Sequence, residues 1–382
     1  MNSKPHLQLL DALRGVAALI VLFYHCYECF GYEIAEGTGI FTQVCDHGYL
    51  AVDFFFLLSG FVIGYAYDDR WHASVQHTGM STWTFFKRRL IRLHPMVVAG
   101  AVIGLICFLL DGGTDWNGNP ASMGSLTLVF VMTMLMLPVY PGWGADVRGN
   151  TEMFPLNGPS WSLFFEYIGN ILYALLLRRL SIKALSAVVV ASGVTLGWLV
   201  LDSGYLGYGW SFVDYGFWTG LLRMLFPYAF GMLLARLYLP HMKDIKESSS
   251  RFIWTFVACA AVLLILLPMP FVGDPTQPWQ NGLYIMLLLM VVFPLIVWQA
   301  AKAGTGNNKF CNFLGDLSYP LYTVHYPLMY MFYRYHGFPN VTCTMADVWP
   351  MAVATFFGSI VLAVIFLYAY DKPVRRWLSK VS

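Results

Sequence analysis

Charge is what this chain has least of: 12% of its 382 residues are Asp, Glu, Lys or Arg, against 58% hydrophobic. Soluble domains carry about 25% charged residues, so a soluble globular fold is excluded. Neither end carries a run of one sign, and the formal net charge of +2 points to no nucleic-acid partner. No small-x-small cleavage site follows the first apolar run, from Val16 to about Phe30, so it reads as a retained span and not as a signal peptide. Paired cysteines are also missing: the seven present are scattered and imply no disulfide framework. Cys26 and Cys29 form a CxxC and Cys45 precedes His47, but packing near a helix end is a simpler reading than a metal or redox site. No internal repeat and no stretch of soluble composition is visible, so one membrane domain over residues 1–382 is expected.

What the chain does have is apolar blocks of about 20 residues, the length of a spanning helix. Eleven such segments are 9–30, 49–67, 94–111, 123–140, 159–178, 183–201, 218–238, 252–271, 281–300, 315–335 and 349–370. Basic residues cluster at Lys87, Arg88, Arg89 and Arg92, at Arg178, Arg179 and Lys183, and at Arg236, Lys243, Lys246 and Arg251. Lys302 and Lys309 form another patch, and Lys372, Arg375, Arg376 and Lys380 the last. The alternate loops carry Glu33, Glu36, Asp46, Asp202, Asp214, Asp274 and Asp347 without Lys or Arg. Lys and Arg concentrate on the cytoplasmic side of membrane proteins. Eleven crossings break that pattern after segment 123–140, whereas ten satisfy it throughout. The fold class expected is therefore all-α integral membrane, with about ten transmembrane helices and both termini cytoplasmic. Segment 112–158 becomes an outer-facing excursion or re-entrant segment.

Ionisable residues inside a bilayer are costly and mark functional positions by default. Arg14 and His25 lie eleven positions apart in the first span, on one helix face and roughly 16 Å apart along the axis. Asp11 is placed to pair with Arg14. An imidazole titrates near neutral pH and suits a general base, although a headgroup arginine and an interfacial histidine are the plainer reading. In FFKRRLIRLHP, Arg89 and Arg92 share a helix face beside Lys87 and Arg88. Guanidinium forks suit phosphate, while a simple topology signal or anionic-lipid contact would give the same residues. Asp53 needs a partner, Arg14 being one if depth permits, and Ser59-Gly60 reads as close packing. In NGPSWSLFFEY, Ser162 and Glu166 face one way after a Pro159-Ser160 helix start. Glu166 is either an orienting carboxylate for His25 or a snorkelling one. In LGDLSYPLYTVHYPL, Ser318, Tyr322 and His325 share a face of a helix that Pro320 and Pro327 should distort. A polar stripe of this kind is an interhelical hydrogen-bond network or a cavity wall.

In this order, LDALRGVAALIVLFYHC, AVDFFFLLSGFVI, FFKRRLIRLHP, PSWSLFFEY and LSYPLYTVHYPL resemble the membrane acyltransferase 3 family, from Leu10 to Leu328. That family includes bacterial O-acetyltransferases acting on lipopolysaccharide, exopolysaccharide, Nod factors and macrolides, built on a ten-helix membrane core. The resemblance implies His25 as the residue essential for acyl transfer, with Arg14 before it. It implies Arg89 and Arg92 as the site for acyl-coenzyme A phosphates, with Lys87 and Arg88 in support. Trp161, Ser162 and Glu166 match the middle motif, and Tyr322 and His325 the late one. Phe164-Phe165 departs from the small or polar residues commoner before that glutamate. Many members carry an appended SGNH esterase-like domain, which is not expected here.

The expected protein is a multi-pass enzyme of a bacterial cell membrane, in contact with membrane lipids. It would move an acyl group, acetyl first, from cytoplasmic acyl-CoA to a hydroxyl of a cell-surface polysaccharide or lipid-linked glycan, without a metal. Trp116, Trp143 and Asn150 would be available to the sugar. The competing reading is a proton-coupled transporter with Arg14, His25, Asp53, Glu166 and His325 as a polar relay. It leaves the RxxR pair without a task and lacks the repeated halves common in transporters. A non-catalytic scaffold would leave all five constellations unexplained.

Overall fold

A computed structural model describes residues 4–31, 45–71, 79–240, 249–303, 308–335 and 345–381. Glu33, Glu36, Lys243 and Lys246 lie outside the described residues. Those described form helices joined by irregular segments, with only two isolated bridges, Thr114–Pro120 and Glu152–Ser211, in place of a sheet. The helices are α1 (Gln8–Cys26), α2 (Ala51–Tyr67), α3 (Thr82–Leu110), α4 (Met123–Met134), α5 (Ser160–Leu175) and α6 (Ile182–Ser203). They continue as α7 (Gly216–Tyr238), α8 (Ser249–Leu266), α9 (Pro278–Lys302), α10 (Lys309–Tyr335), α11 (Met345–Phe366) and α12 (Lys372–Val381).

Among the described residues nine helical stretches have the length and hydropathy of a membrane span. The 27-residue α10 is long enough but more polar, and it lies between α1, α3 and α11, so its polar groups face protein and not lipid. This is a multi-pass membrane protein. By contrast, α4 has 12 residues, about 18 Å of helix against a hydrocarbon core of about 30 Å. It packs against α3 and is too short to cross, as the charge pattern requires of segment 123–140.

Long-range polar contacts gather the basic segments at one end. Lys4 pairs with Asp69 at 2.7 Å, Arg236 with Asp68 at 2.7 Å and Lys372 with Asp316 at 2.6 Å. Arg236 also donates to the Leu180 carbonyl, and Gln8 to that of Asn308. At the other end the Phe271 amide donates to Asp46, Asn281 to the Gly204 carbonyl and Arg334 to Thr114. Among the described residues the chain alternates between these ends through α1–α3 and α5–α11, ten passages, with Lys4 and Lys372 both at the basic one.

Two helix pairs form the centre of the bundle. A β-carbon at Gly60 would collide with the Tyr228 carbonyl, and one at Gly231 with that of Leu57, so α2 and α7 touch backbone to backbone. Gly15 and Gly315 do the same for α1 and α10. That contact brings the His25 helix against the His325 helix. Despite Pro320 and Pro327, α10 stays continuous. Proline cannot donate to the carbonyl four residues back; the carbonyl freed by Pro327 is that of Thr323, and Asn157 Nδ2 donates to it at 2.9 Å. The NGPSW segment thus supports the late motif directly.

Candidate active site

Two cavities open toward opposite ends of the bundle, with Val52 and Tyr322 in the lining of both. Their volumes, about 200 and 290 Å³, far exceed the roughly 10–15 Å³ that one water needs. Between them Ser162 Oγ and Tyr322 Oη lie 2.6 Å apart, and both lie within reach of the Pro159 carbonyl, at 3.1 and 3.2 Å, so one hydroxyl donates to the other and the second to that carbonyl. The sequence motifs divide between the two spaces.

The cavity at the basic end is lined by Arg14, Arg89, Arg92 and Arg375, opposed by Asp11, Glu166 and Asp316. Most of these cations are neutralised locally. Arg14 donates to Asp11 at 2.5 Å, as the i, i+3 spacing predicts. Arg89 pairs with Glu166 at 2.8 Å, and Arg375 with Asp371. His6, just before α1, shares Asp11 at 2.8 Å, and this hydrogen bond raises its pKa above the ordinary imidazole value. Arg92 is different: it is exposed to the cavity and has no hydrogen bond or ion pair among the described residues. Lys87 and Arg88 are not in this lining, although Arg88 is i, i+4 to Arg92 and so lies beside it on α3.

His25 lines the second cavity, together with Glu28, Glu152, Trp161, Tyr205 and Tyr326. Its Nδ1 is 2.8 Å from His325 Nε2, the rings stacked within 14° of parallel, and Tyr326 meets the His25 ring edge-on. His325 is buried, and its Nδ1 lies 3.0 Å from the Leu321 carbonyl. A carbonyl only accepts, so His325 Nδ1 carries a proton and donates it. When His325 is neutral, its Nε2 is then the acceptor, and His25 Nδ1 must donate to it. Neutral His25 is left with an unprotonated Nε2, the lone pair a general base needs.

Other expected contacts are replaced. Glu166 does not orient His25: it is held by Arg89 and by Ser59, which donates at 2.7 Å, in the other cavity. Asp53 does not meet Arg14. It forms a two-pronged pair with Arg223, at 2.6 and 3.2 Å, with the two side chains 0% and 1% exposed. Arg223 was legible as a charge within the apolar run 218–238, yet the sequence reading leaves it out. Of the late stripe, only His325 reaches His25; Tyr322 meets Ser162, and Ser318 donates to the Gly315 carbonyl and lines the basic cavity. A relay through Arg14, His25, Asp53, Glu166 and His325 is therefore interrupted at Asp53 and Glu166. Asn150 lines the second cavity, whereas Trp116 packs on Tyr330 and Tyr333 and Trp143 on Tyr140. Cys26, Cys29 and Cys45 are free thiols, and both His47 nitrogens are occupied, by Met269 O and Asn281 Oδ1. Glu28 and Glu152 join the second cavity from positions with no pattern in the sequence, Tyr326 joins it from within the late motif, and Arg375 reaches the basic cavity from the last basic patch.

The family described as "Acyltransferase domain" matches residues 7–368, nearly the whole chain, and the protein belongs to this acyltransferase 3 family. Among curated relatives it is similar to "Protein 2 in picA locus" of Rhizobium radiobacter, 32% identical over 49% of this chain and 91% of the relative. It is also similar to "Acyltransferase MdmB" of Streptomyces mycarofaciens, 29% identical over 46% of this chain and 41% of the relative. "O-acetyltransferase OatA" of Staphylococcus aureus is 25% identical over 88% of this chain and 53% of that protein. The chain thus spans about half the length or less of the two named acyltransferases it matches. No solved structure matches.

Proposed function

We propose that this protein is an integral-membrane O-acyltransferase that moves an acyl group, acetyl first, from acyl-CoA at the basic end to a glycan hydroxyl at the opposite end. Family membership and the names of its relatives support the acyl chemistry. The observation that carries the mechanism is the position of His25, in a cavity separated from the arginine-lined one only by the Val52–Tyr322 wall.

The basic end is cytoplasmic by the charge rule. Arg92, with Arg89, Arg14 and Arg375 around it, offers guanidinium donors to the donor's phosphates. Arg89 is pre-set by Glu166, which gives that carboxylate a positioning role. The acyl arm reaches the dividing wall past Ser162 and Tyr322, covering the ~16 Å between Arg14 and His25. His25 Nε2 accepts the acceptor's hydroxyl proton as its oxygen attacks the thioester carbonyl. The C–S bond then breaks, and the departing thiolate takes the proton back from His25. His325 and the Leu321 carbonyl hold the tautomer that this step requires. The acceptor is a cell-surface or lipid-linked glycan reached from the outer face, where residues 112–158 lie.

Vesicles containing the protein, radiolabelled acetyl-CoA and extracted surface glycans test this reading. Label should enter glycan with the wild type and be lost with His25→Ala. Transfer that survives the substitution contradicts the role of His25, and label held on the wild-type protein after rapid quenching near neutral pH, but not on His25→Ala, would make His25 an acyl carrier. No transfer together with solute uptake driven by a pH gradient would favour the transporter.

A further inference from the structure

The second cavity has an electrostatic character that nothing in the acyl chemistry requires. Two carboxylates, Glu28 and Glu152, belong to its lining, with Arg223 as the one Lys or Arg there. Arg223 is already spent: Nε and Nη2 go to Asp53, and Nη1 donates to the Tyr208 carbonyl at 2.5 Å. Arg148, behind the Tyr330 ring at 4.0 Å, is paired with Asp111 and is not in the lining.

Glu152 is the second, independent observation. The residue is 6% exposed; Tyr330 donates to Oε1 and the Asn150 side chain stands near the carboxylate, but Oε2 is buried without a well-formed hydrogen bond. A buried acceptor left unpaired bears its full desolvation cost, the more so when charged, so such an atom calls for a donor. Glu28 is little better served, with one long 3.4 Å bond from Tyr24. At the same cavity Tyr205 and Trp210 are each 40% exposed and Trp161 is buried, which gives flat apolar surfaces beside the acceptor oxygens. Aromatic faces with a few placed oxygen acceptors suit a polyol ring that brings its own donors.

We infer that the acceptor held in this cavity is a sugar without acidic groups, neutral or amine-bearing, donating O–H or N–H to Glu152, and that uronic acids and phosphorylated sugars are excluded. This rests on the acyltransferase reading for the word acceptor, but not for the binding preference. Above about pH 7, where Glu152 is ionised, a uronate carboxylate would meet it and Glu28 with no free cation among the described residues to balance it, and like charges brought together at an interface are strongly disfavoured.

Saturation-transfer NMR on the full-length detergent-solubilised protein, at about pH 8.5 where Glu152 is ionised, tests this with the methyl glycosides of glucose, glucosamine and glucuronic acid. The wild type should bind the first two, and the glucuronide at least ~10-fold more weakly, a difference of about 1.4 kcal/mol. Glu152→Gln keeps the shape and removes the charge, and should narrow that gap several-fold. Equal binding of the glucuronide by the wild type, or no binding of any glycoside, overturns the inference. Acetyl transfer to the same glycosides is measured in parallel. Transfer to the glucuronide at the glucoside's rate would sink the acceptor class and leave the acyltransferase reading standing. The expected binding order without any transfer would do the reverse.

Discussion

His25 Nδ1 lies 2.8 Å from His325 Nε2, between residues 300 positions apart in the chain. A neutral imidazole here takes the place that a carboxylate holds in the familiar serine–histidine–aspartate arrangement. It fixes the tautomer of His25 without burying another charge in the membrane. Loss of a general base costs about 10²–10⁴-fold in rate. His25→Ala should fall in that range, with donor KM nearly unchanged. His325→Ala should lower kcat with donor KM unchanged, and His325→Gln, whose amide oxygen can still accept from Nδ1–H, should recover part of the loss. Equal defects in the two His325 variants would argue for a purely structural role.

Arg92 and Arg89 differ in what they already hold. Arg92 has no hydrogen bond or ion pair among the described residues, so Arg92→Ala should leave thermal stability unchanged. A hydrogen bond to a charged group contributes about 1.5–3 kcal/mol, so donor KM should rise about 10- to 150-fold. Arg89→Ala removes the partner of Glu166 as well, and should lower both donor affinity and stability. Steady-state kinetics beside a thermal melt separates the two.

Asp53 and Arg223 hydrogen-bond to each other, and Arg223 also donates to two backbone carbonyls, with its guanidinium 5.1 Å over the Trp161 ring. Removing one member of a buried pair costs about 3–5 kcal/mol, because the other charge is stranded. Asp53→Ala and Arg223→Ala should each sharply reduce the yield of monodisperse protein. Full yield with lost activity would instead place the pair in the chemistry.

Burial pushes the Glu152 carboxyl up to about 7, from an ordinary value of 4.5. Below 4.5 the group is protonated whether folded or unfolded, and its contribution to stability is complete. Between 4.5 and about 7 the unfolded chain ionises while the folded one resists, so stability falls with rising pH. The loss, on the order of 3 kcal/mol, is complete above the folded value. The melting temperature without ligand should fall across this window in the wild type, and the fall should be shallower in Glu152→Gln. Parallel curves for the two proteins would contradict it.

The membrane fold was legible because spans and basic loops are written in composition. Charge alternation, and not the length of the apolar block 123–140, set that segment apart in the sequence; the short helix α4, ending at Met134, agrees with it. Arg14, His25, Asp53, Glu166 and His325 stood out for the same reason, since each is costly in an apolar run. Their partners did not follow. Spacing along a helix pairs Asp11 with Arg14, but Asp53 with Arg223 and His25 with His325 depend on how the helices pack. The one-face stripe Ser318, Tyr322 and His325 was correctly periodic, yet its members meet three different neighbours. Glu152 sits in an irregular stretch with no period, and only the folded chain shows its unpaired oxygen.

The central claim is that donor and acceptor act from opposite ends with His25 between them. Proteoliposomes with the protein in one known orientation test it, acyl-CoA being supplied on one side and a glycan acceptor on the other. Transfer is predicted only when acyl-CoA is on the side of Arg92 and the acceptor on the side of Glu152, and it should vanish with His25→Ala. Transfer that requires both substrates on the same side, or that persists without the His25 imidazole, would contradict the account.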